Sequence, residues 1–517
     1  MWVVGALDSA RKPREFYAAA SRVIRLHWLL TILLAAGLAL RILTQLAYRP
    51  ALLYIDSARY VRGESGQDPM GYRLVLWPLQ RMGGLATVAA FQHLLGLGLA
   101  CLLYTLLLRR GIWRWAAALA AAPILLDAYQ LQAEQTIMPD VTFEALVLAG
   151  LAAMLWRREP AAWQLALGGG LFGLAVDFRQ VGEVLILPAL AFVAVRAVGW
   201  GPRLIQGALV AATFAVPVLA YMTIQFAVHG QFGVTQRGSY IFYGRVAAAA
   251  DCATLRLPAD ERALCPSRQV VDALGIDGLV GDPKGPLLSY RPPRGLTIQA
   301  MAGRFDRAVL TQQPAAVLSA VDRDLVKLFA LTRDQDPGDT PITRWQFQTT
   351  YPTYPPLITL HYVAAVRPGG GPPQVSRPLA VVLRDYQLHG GYTPGPVFAL
   401  AAIAGLLGIC ALDREHRIMA SACVLATVTA GAVLIVSDAY EFSWRYQLPA
   451  LVLLPLAGVL GGAAITAKVR FEVAAWSGLR TEPWKGRWKR RRAYRDASRR
   501  VTSVTVPEIE LKQPNLP

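Results

Sequence analysis

Asp56 stands in the segment LLYIDSARYV, a few residues past the first long apolar run, with Arg59 and Tyr60 one helical turn on. Ionisable groups next to hydrocarbon are costly and are kept chiefly where they work. Three further connections between apolar runs carry acids and arginines. Asp127, Glu134 and Asp140 surround one of them. Asp177 and Arg179 occupy another, in GLAVDFRQVGEVLILPAL, and Asp438, Glu441 and Arg445 lie in SDAYEFSWRYQLPAL before a late apolar run. If the four connections share one membrane face, they build a common cavity for an anionic ligand. Arginine's planar fork suits phosphate oxygens and keeps its charge when partly desolvated. A carboxylate beside it can take the proton of an attacking hydroxyl. Together they describe transfer of a group from a phosphorylated carrier to an alcohol, with the leaving phosphate held by cations. In a membrane, that carrier is expected to be a polyprenyl phosphate.

Each residue also has a plainer use. Asp56 and Arg59 could form an i,i+3 surface pair worth about 0.2–0.5 kcal/mol. Asp140, after Pro139, could cap a helix. Arg179 could pair with Asp177 or reach toward headgroups, and Arg445 with Tyr446 could anchor a span at the interface. Glu64 and Asp68 read as solvated loop charges. The six histidines show no metal-ligand spacing. No zinc motif, phosphate-binding glycine loop or Ser-His-Asp pattern is present, so no metal ligands are expected.

The elements that must position these residues are membrane spans. Of the 517 residues, 54% are hydrophobic and 17% charged, against roughly 25% charged in soluble proteins. Apolar runs long enough to cross a bilayer recur near 27–46, 86–108, 112–130, 141–156, 161–178, 183–199, 204–226, 395–413, 418–437 and 446–467. The pattern predicts an all-α polytopic membrane protein with about ten transmembrane helices. Arginines follow spans two, four, six and eight (Arg109, Arg110, Arg157, Arg158, Arg196, Arg203, Arg414 and Arg417). The positive-inside rule then places both termini in the cytoplasm of a plasma-membrane protein, with loops 47–85, 131–140, 179–182, 227–394 and 438–445 facing outward. The outward loop 47–85 also holds five arginines, a content that fits anion binding better than a reversed topology. The glycines 168–170 and 173 should permit close helix packing.

The expected domain division is a cytoplasmic segment 1–26, spans one to seven over 27–226, an extracytoplasmic insertion of mixed character over 227–394, spans eight to ten over 395–467, and a basic cytoplasmic tail 468–517. The net charge of +18 owes much to that tail. It reads as a topology signal attracted to anionic membrane lipids, not as nucleic-acid binding, because no recognition fold accompanies it. Cys101, Cys410 and Cys423 fall in apolar runs and read as packing residues. Cys252 and Cys265 lie together in the insertion, where an oxidising compartment would favour a disulfide and two free thiols are the alternative.

On these residues the chain resembles the GT-C glycosyltransferases, polytopic enzymes that use lipid-phosphate sugars. YIDSARYV is similar to the first-loop acidic motif of aminoarabinose transferases and protein O-mannosyltransferases, and GYRLVLWPLQ at 71–80 to the segment that re-enters before span two. GLAVDFRQVGEVLILPAL and WRYQLPALVLLPLAG resemble two later patterns of the family. The resemblance implies a polyprenyl-phosphate sugar donor and an extracytoplasmic glycan, lipid or protein acceptor. Asp56 would be the catalytic base supported by Asp140, with Arg59, Arg179 and Arg445 on the donor phosphate. Tyr60, Glu134, Glu441 and Tyr446 would contact sugar or acceptor, and YPTYPPL at 351–357 offers aromatic surfaces for stacking. Many relatives carry a second acid directly after the first, where this chain has Ser57. A divalent cation would therefore need Glu134 or Asp140 to complete its ligands. The rivals are a lipid-linked glycan polymerase or ligase, whose base would sit in a later loop, and a transporter, whose charges would sit near the midplane of two related halves.

Overall fold

A computed structural model describes residues 21–63, 68–235, 238–352, 373–411 and 417–476, with backbone alone for 238–241 and 470–476. The stacking candidates at 353–357 and most of the basic tail lie outside the described residues. The chain divides into two units, 1–464 and 465–517. The insertion, the candidate site and the helical bundle up to Ala464 belong to the first.

The apolar runs are helices: α1 (Trp28–Ala47), α3 (Arg73–Arg109), α4 (Arg114–Leu126), α6 (Asp140–Leu155), α7 (Ala162–Val176), α8 (Ile186–Arg196), α9 (Trp200–His229), α15 (Gly395–Cys410), α16 (Arg417–Tyr440) and α17 (Ala450–Trp476). Between them come two short helices, α2 (Ile55–Arg62) and α5 (Ala128–Gln135). Among the described residues, five helices are long and apolar enough to cross a membrane, and three shorter apolar ones accompany them. The protein is an all-α polytopic membrane protein. Its outward surface is apolar where lipid would lie, as on α9, where Leu204, Ile205, Val216, Ile224 and Val228 are exposed.

Small residues let the helices close on one another. A β-carbon at Gly173 would fall 2.1 Å from the Phe214 carbonyl, and one at Gly169 would fall 2.5 Å from Thr213 Oγ1, so α7 packs directly on α9. Gly168 meets Met154 of α6 in the same way, whereas Gly170 has ordinary room. The predicted span at 86–108 is only the second part of α3. Gly83 and Gly84 interrupt that helix, and Gly84 has φ 72°, a left-handed backbone that favours glycine. The interruption frees the segment 73–82 to lie at another angle, with Leu74 and Met82 exposed.

Among the described residues, the segment 227–394 holds helices α10 (Gly238–Ala249), α11 (Arg268–Gly281), α12 (Ile298–Gln312), α13 (Pro314–Lys327) and α14 (Arg377–Leu388), a four-residue helical turn at Pro286–Ser289 and a two-residue strand. It has a small core of its own around Tyr243, Met301 and Phe305, closed by the Cys252–Cys265 disulfide. It is also tied to the bundle. Strand β2 (Gln374–Val375) pairs antiparallel with β1 (Tyr48–Arg49) at the end of α1, while α14 packs on α1 and α13 on α16.

Candidate functional site

Asp56 is placed by an extended segment and a helix start. Leu52 donates its N–H to the Gln135 carbonyl at 2.9 Å and accepts from Ile137 N at 3.0 Å. This pairing lays the chain before Asp56 beside the chain before Asp140. The helix α2 then begins at Ile55, and the Tyr54 N–H donates to Ser57 Oγ at 2.9 Å. Ser57, fully buried, thus holds the helix start. Asp140 is the first residue of α6, with Pro139 at the N-cap position. Arg179 follows α7 in a tight turn whose Asp177 carbonyl accepts from Gly71 N at 2.8 Å. A β-carbon at Gly71 would lie 2.4 Å from that oxygen, so only glycine allows the two segments to touch.

Arg445 joins these pieces. Its Nη1 donates to Asp56 Oδ2 at 2.7 Å, its Nε to Asp140 Oδ1 at 3.1 Å, and its Nη2 to Asp140 Oδ2 at 3.0 Å. Arg179 Nη1 donates to the same Asp140 Oδ1. Arg59 Nη2 donates to Asp56 Oδ1 at 2.6 Å, and its Nε to Asp68 Oδ2 at 2.8 Å. Three guanidinium groups and three carboxylates therefore form one linked chain. Burial alone would raise the Asp56 carboxyl, but Arg445 and Arg59 outweigh it and hold Asp56 below the usual carboxylate range. Asp68 moves the other way: burial and the Asp56 charge push it up against the pull of Arg59.

Four members of the chain of charges, Asp56, Asp68, Arg179 and Arg445, line a cavity of about 130 Å³ that opens to solvent. Asp56, Tyr60, Asp68, Arg179, Arg445 and Tyr446 all face it, with Phe178, Thr235 and Tyr440 beside them. The Arg179 guanidinium lies 4.9 Å over the Tyr446 ring. Glu441 is on the same wall and accepts from Thr340 Oγ1 at 2.6 Å. Its carboxyl is pushed well up by burial and by Asp277 of α11, a residue that is itself exposed to solvent.

Of the residues expected at the site, Asp56, Arg59, Tyr60, Asp140, Arg179, Glu441, Arg445 and Tyr446 converge there, though Asp140 reaches the cavity only through its arginines and Arg59 only through Asp56 and Asp68. Glu134 does not. It is fully enclosed within the bundle, 2.7 Å from Arg41 Nη2, with His93 Nδ1 2.9 Å from its other oxygen. A β-carbon at position 96 would meet Glu134 Oε1 at 1.9 Å, so Gly96 leaves room for the pair. Arg41 is the sequence signal for this pairing, since an arginine inside an apolar run needs an acid partner. Asp127 caps α5 through Tyr129 N at 3.0 Å, pairs with Arg333 at 2.9 Å, and takes no part in the cavity.

Asp68, read from the sequence as a solvated loop charge, stands instead on the cavity wall, paired with Arg59 at 2.8 Å; its place after a glycine turn at Gly63 carries no sequence signal beyond its charge. Among the described residues, no group of three or more His, Cys, Asp or Glu side chains could hold a metal ion. The donor set itself does not fit a divalent cation, because each oxygen of Asp56 and Asp140 already faces a guanidinium.

No protein-family model matches the chain, and no curated protein matches it. Among solved structures it is similar to the archaeal oligosaccharyltransferase AglB from Archaeoglobus fulgidus in complex with an inhibitory peptide and a dolichol-phosphate, with TM-score 0.40 and 14% identity over 88% of this chain. The chain spans 52% of that protein's length, about half. It is also similar to ArnT from Cupriavidus metallidurans, with TM-score 0.32 in both the apo and undecaprenyl phosphate-bound states, at 14% and 15% identity over 87% and 84% of this chain and 78% and 77% of that one.

Proposed function

We propose that this protein is a GT-C type membrane glycosyltransferase that moves a sugar from a polyprenyl-phosphate donor to a hydroxyl acceptor on the extracytoplasmic side. The observation that carries the reading is Arg445. It stands on the wall of one cavity and joins two carboxylates from separate connections, Asp56 on that wall and Asp140 behind it, with Arg179 and Arg59 in the same linked chain. In this reading the donor phosphate binds Arg59, Arg179 and Arg445, exchanging its oxygens for carboxylate oxygens on the same guanidinium forks. The acceptor hydroxyl attacks the anomeric carbon, the bond from that carbon to phosphate oxygen breaks, and the hydroxyl proton passes to Asp56. Polyprenyl phosphate leaves with both bonding electrons, its charge held by the arginines, and the anomeric centre inverts. Asp140 keeps Arg179 and Arg445 aligned, while Tyr60, Glu441 and Tyr446 contact sugar or acceptor.

The oxidised Cys252–Cys265 pair supports an extracytoplasmic place for residues 227–394, and both termini then fall in the cytoplasm. A transporter would share the ionic group inside the bundle, but Arg41 and Glu134 are 2% and 0% exposed and offer a solute no surface.

The test is transfer by purified protein from a panel of polyprenyl-phosphate sugars, comparing wild type with Asp56→Asn. Turnover by wild type and a loss of roughly 100-fold or more in the variant, with donor binding retained, is the expected result. Equal turnover by both removes Asp56 from its role. Donor binding without turnover by wild type overturns the transferase reading.

A further inference from the structure

Arg445 sits in a turn, Glu441–Arg445, that follows α16 and belongs to no helix. An arginine that must touch Asp56 and Asp140 together needs its backbone fixed, and the fixing groups come from the insertion. Thr340 Oγ1 donates to Glu441 Oε1 at 2.6 Å. Lys327 Nζ lies 4.5 Å from the Phe442 ring. Trp444 Nε1 donates to the Asp334 carbonyl at 2.9 Å, and its ring lies 5.3 Å from the Arg333 guanidinium. The Trp345 ring stands 5.7 Å from the Arg445 guanidinium. Four of the five side chains in the turn are thus gripped by one stretch, 327–345.

The stretch is anchored at both ends. Lys327 Nζ holds Asp324 and Asp336 at 2.9 Å and Asp339 at 2.7 Å. Arg333 pairs with Asp127 at 2.9 Å and stacks over Tyr129 at 4.1 Å and Tyr392 at 5.2 Å. Trp345 also packs on Tyr54, with ring centroids 4.6 Å apart. Tyr54 directly precedes α2, so Trp345 braces both sides of the Asp56–Arg445 contact. None of these groups except Glu441 and Arg445 lines the cavity.

We propose that 327–345 is a positioning clamp on the Glu441–Arg445 turn, with Arg333 as its lock. Through it, the insertion sets the geometry of the transfer site without touching the reacting atoms. The grip rests on these contacts alone, and only its effect on turnover rests on the function proposed above.

The experiment compares full-length wild type, Arg333→Met/Asp127→Asn and Arg333→Lys. The double substitution leaves no carboxylate unpaired, and Lys restores charge without the planar stack. Hydrogen–deuterium exchange of the peptide 438–448 reads the clamp directly, and kcat, donor KM and the pH profile read its consequence.

The double variant is expected to exchange at least tenfold faster in that peptide while the rest of the bundle exchanges as wild type. A misplaced guanidinium should lower kcat by roughly 100-fold. The acid limb of turnover should move to higher pH as Arg445 loosens from Asp56, a carboxylate that also faces Arg59, Asp68, Asp140, Asp277, Tyr54 and Tyr60. Arg333→Lys should recover part of both effects. Unchanged exchange in a folded double variant overturns the clamp, whatever turnover does. Faster exchange with kcat and pH profile unchanged overturns its link to the site. If wild type shows no turnover, exchange alone decides the clamp, so the two readings fail separately.

Discussion

Two of the carboxylate–arginine clusters among the described residues, Arg41 with Glu134 and Arg445 with Asp56 and Asp140, differ in access more than in chemistry. Inside the bundle, Arg41 spends its guanidinium on Glu134 at 2.7 Å and on the carbonyls of Gly37, Leu125 and Ile124 at 3.0–3.1 Å. His93 bridges Glu134 to Gln135, and Gln130 bridges Glu134 to Glu144. The two ions of the pair are 2% and 0% exposed. At the bundle's end, Arg445, Arg179 and Arg59 meet Asp140, Asp56 and Asp68 with the same kind of contact, but the cluster faces a cavity. The sealed group can only hold helices together. The open group can trade a carboxylate for a ligand oxygen.

The comparison is broken most sharply at Arg41. Arg41→Met leaves Glu134 enclosed without its cation, which should cost about 3–5 kcal/mol and appear as a large loss of thermal stability in detergent. Adding Glu134→Leu should restore most of it, since a well-packed apolar pair is often as stable as a buried ion pair. A fully stable protein with Arg41→Met alone would show the pair to be dispensable.

At the open cluster the expected cost falls on turnover. Asp140→Asn should lower kcat roughly 100-fold, about 2.7 kcal/mol in barrier. Its melting shift should stay well below that of Arg41→Met, because water and Asp56 can take up the freed guanidinium groups. A large melting shift with normal kcat would make Asp140 a second structural ion.

The smallest effect sharpens the contrast through pH. Arg445 and Arg59 together hold the Asp56 carboxyl below its usual range against the effect of burial. That depressed value contributes stability above the unfolded carboxylate range, lost as pH falls through the folded value. Arg59→Met should therefore move the acid limb of the turnover profile to higher pH. Asp68 also loses its partner in this variant, so the profile is measured in an Asp68→Asn background. A limb that stays in place would separate Asp56 from the proton step.

The helices were legible as apolar runs because lipid demands them, and the convergence of Asp56, Arg59, Asp140, Arg179 and Arg445 followed from their placement at ends of those runs. Two physical facts hid the rest. Helical phase decides whether an acid near a span end faces a cavity or the bundle, and in α5 it turns Glu134 inward to Arg41. The other fact is separation along the chain. Arg445 meets Asp56 across 389 residues, and Trp444 meets Asp334 across 110. Asp56 and Arg445 stand in patterned segments that draw attention separately. Asp334, Thr340 and Trp345 come from an insertion with no such pattern, so nothing in the sequence ties them to the turn they hold.

The equal numbers of guanidinium groups and carboxylates in the linked chain, three of each, bear on how a ligand arrives. A cluster whose charges cancel projects little field into solvent, so it draws no anion from a distance and gains nothing from electrostatic steering. A small soluble anion would have to break existing pairs with only its own contacts to replace them. A lipid-borne phosphate has a second hold, its chain in the bilayer, and meets the cavity by sliding along the membrane. Encounter with it would then be nearly indifferent to ionic strength, and the self-paired cluster would stay closed to the far more abundant anions of the surrounding water.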